Sequence, residues 1–156
     1  MKAKEGVLEI LNGVLQAELT AVHQYLRDAA LCKNWGYERL HDHFSHLASE
    51  EVQHSSGLID HILFLEGTPD VQHLDTIAHG STVEALLRAN LDFEREDADL
   101  LRKGIVHCAK AGDFTTRHLL EHMIVDTEEH VDWFETRLRT IDQVGLERFL
   151  SEQIKK

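Results

Sequence analysis

The chain has 156 residues and a net charge of −12 with histidine neutral, from 28 acidic and 16 basic residues. This length suits a single domain, residues 1–156, with a continuous core. The acidic balance argues against nucleic acid as a partner and favours a protein that attracts cations. No stretch approaches the ~20 apolar residues of a membrane span, and the N-terminus lacks an apolar signal core, so we expect a cytoplasmic protein.

The chain has two cysteines, Cys32 and Cys108, and no C-x-x-C motif. This excludes a zinc ribbon or a rubredoxin-like site and favours two reduced cysteines on helices.

Apolar residues recur at the spacing of an amphipathic helix in four long segments. The predicted helices span about 5–33, 37–65 and 82–111, with a fourth after Gly112 that ends at about 141. Each of the first two would be about 42 Å long at 1.5 Å per residue. One proline, nine glycines and 6% aromatic residues also favour helices over sheets.

Residues 66–81 contain the only proline and show no helical periodicity, which predicts a long connection. Ser81, Thr82 and Glu84 then form a capping signal for the third helix. An amphipathic tail follows at about 145–154. The pattern therefore predicts an all-α fold: a four-helix bundle over about 5–141 with one long crossover, plus a short C-terminal fifth helix.

Side chains that bind metals occur in the same order and at the same intervals in the two halves of the chain. Each half has a glutamate and then, after an equal interval, a short motif that ends in histidine. In the second half threonine replaces the motif's glutamate. The six positions of this matched spacing are Glu18, Glu51 and His54 in the first half, and Glu94, Thr127 and His130 in the second.

This pattern indicates a pair of metal ions inside the bundle. Glu51 and His54 are separated by about one helical turn and share one helix face. Carboxylates can bridge two ions, and neutral imidazole suits iron. A single Glu-x-x-His is usually a solvated helix face, but Glu18 lies on an apolar stripe, where a bare carboxylate would be costly. Carboxylates and two histidines from four helices are typical of di-iron or di-manganese bundles.

Five segments carry a resemblance to a known family: AELTAVHQY around Glu18, NWG at 34–36, ILFLEGTPD at 62–70, HVDW at 130–133 and the closing GLERFLSEQI. With these segments the chain resembles the bacterioferritins of the ferritin-like superfamily along essentially its whole length. The resemblance implies a shell of 24 subunits that oxidises Fe(II) and stores a ferric mineral.

The resemblance also assigns roles to the metal-ligand positions. Glu18 and His54 would hold one iron, Glu94 and His130 the second, and Glu51 would bridge them. These five residues would therefore form the ferroxidase centre.

Two positions depart from the family pattern. Thr127 stands where the resemblance implies a second bridging glutamate, so Asp126 or Glu128 would have to compensate. Val52 stands at the position of the methionine that ligates haem iron. Haem b is therefore not expected from this subunit alone, although a mixed shell with a haem-binding bacterioferritin subunit remains open, as does a ferredoxin-type reductant.

Several further residues have two interpretations. His46 and Glu50 would line the inner cavity and bind further iron, or they are a polar face wetted by solvent. Tyr25 would lie beside the di-iron site and be oxidised during turnover, or it is simply a buried, hydrogen-bonded tyrosine. His46 and Glu50 belong to a stripe on the second helix that also includes His43, His54 and His61.

Three functions fit these observations. The first is iron storage and detoxification with ferroxidase activity, using oxygen or peroxide. The second is a structural shell subunit whose centre is impaired at Thr127 and which assembles with a second subunit type. The third, a different di-iron enzyme or a miniature DNA-protecting cage, is disfavoured by the fifth helix and by the lack of a basic tail.

Overall fold

A computed structural model describes residues 1–78 and 80–155. Within these ranges the backbone forms five helices and no strand. The helices are α1 (Val7–Asn34), α2 (Glu38–Phe64), α3 (Val83–Ala111), α4 (Phe114–Val144) and α5 (Leu146–Gln153). This confirms the predicted all-α fold with a short C-terminal helix. The fourth helix is longer than predicted, because it continues to Val144 and ends only at Gly145, whose φ is 88°.

Capping residues define the start of α3 and the break between α3 and α4. The hydroxyl of Thr82 accepts a hydrogen bond from the backbone N–H of Ala85, as the capping signal predicts. Gly112 ends α3 in the left-handed conformation with a φ of 74°. The carboxylate of Asp113 then accepts a hydrogen bond from the N–H of Thr116 and starts α4.

The helices pack as two hairpins, α1 with α2 and α3 with α4, and α1 also lies against α3. Short connections at 35–37 and 112–113 make each hairpin antiparallel. The crossover from α2 to α3 runs beside α1 and is attached to it by polar side chains one turn apart. These bonds join Asn12 to Thr68 O (3.2 Å), Gln16 to Asp75 Oδ1 (2.7 Å), Thr20 Oγ1 to Asp75 N (2.9 Å) and Gln24 Oε1 to Ala78 N (3.2 Å).

The core consists of two apolar clusters separated by a layer of buried polar groups. One cluster includes the stacked and tilted rings of Tyr25, Phe44 and Phe134, whose centroids are 6.0–6.5 Å apart. The other is built on aliphatic residues such as Leu11 and Leu58. The two hairpins thus place their polar residues at one level between the clusters. In the described ranges, none of the helices is long and apolar enough to cross a membrane.

Replacing Phe134 by alanine should lower the free energy of unfolding by about 3–5 kcal/mol, because the fully buried ring leaves a cavity between Tyr25 and Phe44. Chemical denaturation followed by helical ellipticity measures this loss. Phe114→Ala, on the same helix but 65% exposed, is the matched control and should change stability far less. Equal losses in the two variants would contradict this account of the core.

Candidate metal centre

The six positions of the matched spacing come together inside the bundle. Each of the four long helices contributes, and every one of the six side chains is buried. Helix α1 supplies Glu18, α2 supplies Glu51 and His54, α3 supplies Glu94, and α4 supplies Thr127 and His130.

Five of these residues form two groups that could each hold a metal ion. Glu18, Glu51 and His54 make one group, which we call subsite 1, and Glu51, Glu94 and His130 make the other, subsite 2. Within each group the ligand atoms lie within 4.8 Å of one another. Glu51 belongs to both subsites, so its two oxygens are placed to bridge two ions.

His54 directs one ring nitrogen inward and the other outward. Its Nδ1 lies 3.0 Å from Glu18 Oε2 and 3.3 Å from Glu51 Oε2. Its Nε2 lies 2.8 Å from Oδ2 of Asp126. A carboxylate behind the imidazole fixes the ring's orientation and makes the inward nitrogen a better ligand.

His130 has the same arrangement in the second half of the chain. Its Nδ1 lies 3.3 Å from Glu94 Oε1 and 3.4 Å from Glu51 Oε1, while its Nε2 lies 2.6 Å from Glu50 Oε2. The other oxygen of Glu50 is 2.7 Å from His46 Nε2. Glu50 and Asp126 each directly precede the first residue of their half's histidine motif, so the matched spacing extends to the groups that orient the two histidines.

Thr127 contributes no charge to the centre. Its side chain is buried, and its hydroxyl donates a hydrogen bond to the carbonyl of Met123 at 3.2 Å. The two residues expected to compensate are directed elsewhere. Asp126 contacts the outward nitrogen of His54, and Glu128 is an exposed residue bonded to Arg102 at 2.9 Å. The structure therefore supports neither as a replacement for a carboxylate at position 127.

Asp97 is a further buried carboxylate of the centre that the ligand spacing does not predict. It lies one turn after Glu94 on α3, is only 5% exposed and is within hydrogen-bonding reach of the Glu18 carboxyl. The corresponding position of the first half, one turn after Glu18, is Ala21. The matched spacing therefore does not predict Asp97 as part of the centre. Its place on the same helix face as Glu94 was the available signal.

Burial and mutual repulsion disfavour ionisation of the acids. Burial, followed by the charges of Glu51 and Asp97, raises the pKa of Glu18 well above its usual range. Burial likewise raises the pKa of Glu94, and it raises that of Asp97 to about 7. For Glu51, burial would raise the pKa, but hydrogen bonds with Glu18 and His54 outweigh it and lower the pKa.

The two histidines show the opposite response. Burial would lower their pKa values, but the surrounding carboxylates outweigh it. Interactions with Glu51 and Asp126 raise the pKa of His54 to about 9, and those with Glu94, Glu51 and Glu50 raise the pKa of His130 to about 10. Without a bound cation, protons therefore balance the negative charge of the centre.

The donor set fits a pair of divalent transition-metal ions. Three carboxylates and two imidazoles offer the oxygen and nitrogen ligands that iron and manganese accept. Within residues 1–78 and 80–155, Oε2 of Glu94 is buried without a hydrogen-bond partner. Such an oxygen is costly unless a cation or proton satisfies it.

The structure places the remaining candidate residues as follows. Tyr25 is fully buried and donates a hydrogen bond to Oε1 of Glu94, directly beside subsite 2. Val52 is half-exposed, on the outer face of α2. The predicted stripe on α2 is not one cluster, since the ring of His43 stacks on Trp133 at 3.7 Å and His61 Nε2 is 2.7 Å from the Thr116 hydroxyl.

A four-helix bundle with one long crossover that gathers two glutamates and two histidines around a shared third glutamate is the architecture of ferritin-like proteins. Comparison with known proteins agrees, since residues 8–144 match the ferritin family, described as a ferritin-like domain.

The chain is 38% identical to a bacterial ferritin of Synechocystis sp. over 155 residues, which cover 99% of both chains. It is 39% identical to a bacterial ferritin of Pseudomonas aeruginosa, over 99% of this chain and 100% of that one. Identity to a bacterioferritin of Mycobacterium avium is 33%, over 100% and 98% of the respective chains. The chain therefore belongs to the bacterioferritin family.

Replacing Glu18 by glutamine should stabilise the metal-free protein at neutral pH, because a neutral side chain of the same shape removes the cost of a buried carboxylate. A carboxyl with a raised pKa stabilises the fold fully below its unfolded pKa, and that contribution is lost as pH rises through the folded pKa. The difference in stability between Glu18→Gln and the parent should therefore grow as pH rises from the unfolded to the folded pKa of Glu18.

Thermal unfolding in the presence of a chelator measures the effect. We expect a rise in Tm of about 2–4 °C, the shift that about 1 kcal/mol produces in a chain of this size. Glu96→Gln, an exposed change on α3, should leave Tm within about a degree of the parent. A lower Tm for Glu18→Gln at neutral pH would show that the ionised carboxylate stabilises the metal-free fold.

Proposed function

We propose that the protein stores and detoxifies iron by oxidising Fe(II) at the candidate metal centre. Fe(II) is the substrate: Glu18 and His54 bind one ion, Glu94 and His130 bind the second, and Glu51 bridges them. The observation that carries the proposal is that Glu51 belongs to both buried three-residue groups. The names of the relatives, bacterial ferritin and bacterioferritin, support the choice of iron.

The reaction takes one electron from each of two Fe(II) ions. With oxygen as the acceptor, two electrons and two protons give hydrogen peroxide; with peroxide as the acceptor, two electrons and two protons give two molecules of water. The oxidised iron then passes to a ferric mineral. The chain's contribution is to hold two ions close together in a site that excludes bulk water and compensates their charge.

Protons leave the protein when the substrate binds. His54 and His130 have raised pKa values and must lose a proton before Nδ1 can bind a cation. Asp126 and Glu50 then accept hydrogen bonds from the outward Nε2–H groups and hold both rings in the orientation that binding requires.

Three residues around subsite 2 support further roles. The His46–Glu50 pair continues from His130 away from the buried centre and provides an imidazole and a carboxylate for an additional iron ion. Tyr25 is hydrogen-bonded to a ligand of subsite 2, which supports its oxidation during turnover.

The proposed assembly is a shell of 24 subunits in which the mineral is enclosed and from which a ferredoxin-type reductant releases iron. Leu26 and Val52 are apolar and more than half exposed on neighbouring helices, which supports their burial against another subunit. With valine at position 52, haem would be supplied only by a second subunit type in a mixed shell.

Thr127 favours one alternative, a structural shell subunit with an impaired ferroxidase centre. The bridging carboxylate Glu51 has no acidic counterpart at the matching position of α4. In this case the chain would complete a mixed shell and another subunit would oxidise the iron. Native mass spectrometry of the assembly from its source distinguishes the two cases, because a mixed shell contains two chain masses.

Stopped-flow mixing of the protein with Fe(II) and oxygen tests the proposed activity. We expect a rapid phase that consumes two Fe(II) per chain, and Glu51→Gln should reduce its rate by at least about 100-fold because both subsites lose their shared ligand. Glu129→Gln, an exposed change on α4, is the control and should retain the rapid phase. A parent rate no faster than that of buffer would exclude ferroxidase activity.

Replacing Thr127 by glutamate tests the alternative. If the missing bridge limits catalysis, Thr127→Glu should increase the rate of the rapid phase by about tenfold or more, the lower end of the effect seen for groups that support a metal site. The same stopped-flow measurement provides the result. An unchanged rate would show that threonine at this position does not impair the centre.

A further inference from the structure

The charges of the centre leave a deficit when two divalent cations are bound. The cations carry four positive charges, and Glu18, Glu51 and Glu94 supply three negative ones. Thr127, at the position matching Glu51, is neutral and already donates its hydroxyl hydrogen to a backbone carbonyl. Net charge buried among apolar clusters is costly, so a fourth carboxylate nearby would favour the simultaneous binding of two ions.

Two other acids lie close to the centre, but they contact the histidines rather than the space between the ligands. Glu50 and Asp126 contact the outward nitrogens of His130 and His54, and both side chains are partly open to solvent. Solvent weakens their effect on the buried ions. Their hydrogen bonds also commit them to orienting the imidazoles.

Asp97 has the properties that these two acids lack. It is 5% exposed, and among the residues that the structure describes its Oδ1 has no hydrogen-bond partner. It lies one turn after the ligand Glu94 on α3, and its carboxyl is within hydrogen-bonding reach of that of Glu18, the terminal ligand of subsite 1. A buried carboxylate oxygen without a partner is costly unless positive charge lies close by.

We propose that Asp97 supplies the fourth negative charge of the centre and, through its contact with Glu18, positions subsite 1 for its ion. This inference rests on the proposed function, since it takes the centre to bind two ions. Asp97 lies outside the two groups of mutually close ligand atoms, so it is a positioning residue rather than a ligand. Its effect should fall mainly on subsite 1, because the carboxyl that it contacts is that of Glu18.

The experiment is a calorimetric titration of the assembled, metal-free protein with Co(II), which oxygen does not oxidise under these conditions. The Glu51→Gln variant lacks the ligand that both subsites share, so the heat of its titration measures binding at surface histidines and is subtracted from that of the parent. The parent should bind two Co(II) per chain above this reference. In Asp97→Asn one of the two should bind at least tenfold more weakly, as when other groups that support metal ligands are removed, while the other stays within about twofold.

Three comparisons decide the outcome. Asp97→Glu should restore most of the affinity, because it returns the charge. Thr127→Glu added to Asp97→Asn should restore it too, because it supplies a fourth carboxylate from α4. Asp92→Asn, the same change at an exposed position of α3, should match the parent. Circular dichroism of each variant confirms that the helices are intact.

Several results would overturn the inference. One is an unchanged affinity for both ions in Asp97→Asn. This includes the case in which Co(II) binds more slowly but with the same affinity. Asp97 lines a surface depression of about 220 Å³ with Asp75 and Glu96, and a slower rate alone would assign it to cation entry there. Equal weakening of both ions, or no restoration by Thr127→Glu, would also contradict it. A parent that binds no Co(II) above the Glu51→Gln reference would instead refute the two-ion centre itself.

Discussion

Repulsion among buried carboxylates is the constraint on which the rest of this structure depends. Glu18, Glu51, Glu94 and Asp97 are buried at one level of a helical core, and Glu51 lies close to both Glu18 and Glu94. Such a cluster is stable only if positive charge is present among the acids. The two histidines and their protons supply it in part, and two divalent cations would supply it fully.

This polar layer explains the division of the core. Apolar side chains form one cluster around the rings of Tyr25 and Phe44 and another around Leu11 and Leu58, and the acids and imidazoles lie between the two. Close packing on both sides keeps water out and restricts the side chains that face the centre. The crossover contributes indirectly, because its hydrogen bonds to one stripe of α1 help to hold the helix that carries Glu18.

The two halves of the centre are related but not equivalent. The matched spacing relates the terminal glutamates, the histidines and the carboxylates Glu50 and Asp126 behind them. The matched spacing fails at two places. Thr127 is the counterpart of Glu51 but carries no carboxylate, and the counterpart of Asp97 is Ala21. The position of α4 that matches Glu51 thus carries no carboxylate, whereas α3 carries Asp97 as an additional buried acid. The additional acid lies on the Glu18 side of the centre, towards subsite 1.

Much of the architecture follows from local patterns in the sequence. Helical periodicity predicted the four long helices to within a few residues, and the position of the only proline predicted the crossover. The ligand spacing predicted which side chains would meet, because equal separations along two antiparallel hairpins place residues at equal height. Tertiary packing determined the rest. The fourth helix continues past residue 141 to Val144 because Gly145, with its positive φ, is the residue that ends it.

The contacts that the metal ligands make with surrounding acids were beyond these patterns. The spacing brings the ligands together, but it does not show that the carboxylate of Asp126 turns away from the centre to meet the outward nitrogen of His54. Asp97 is equally hidden, because an acid on a helix is usually solvated and only the assembled bundle shows it to be buried beside Glu18.

Anomalous diffraction from crystals soaked in Fe(II) without oxygen tests the central claim most directly. Data collected at the iron absorption edge should show two peaks inside each bundle, about 3.5–4 Å apart as in other binuclear sites, one on each side of the Glu51 carboxylate. Peaks confined to surface histidines, with the space between Glu18, Glu51 and Glu94 left empty at saturating Fe(II), would contradict it.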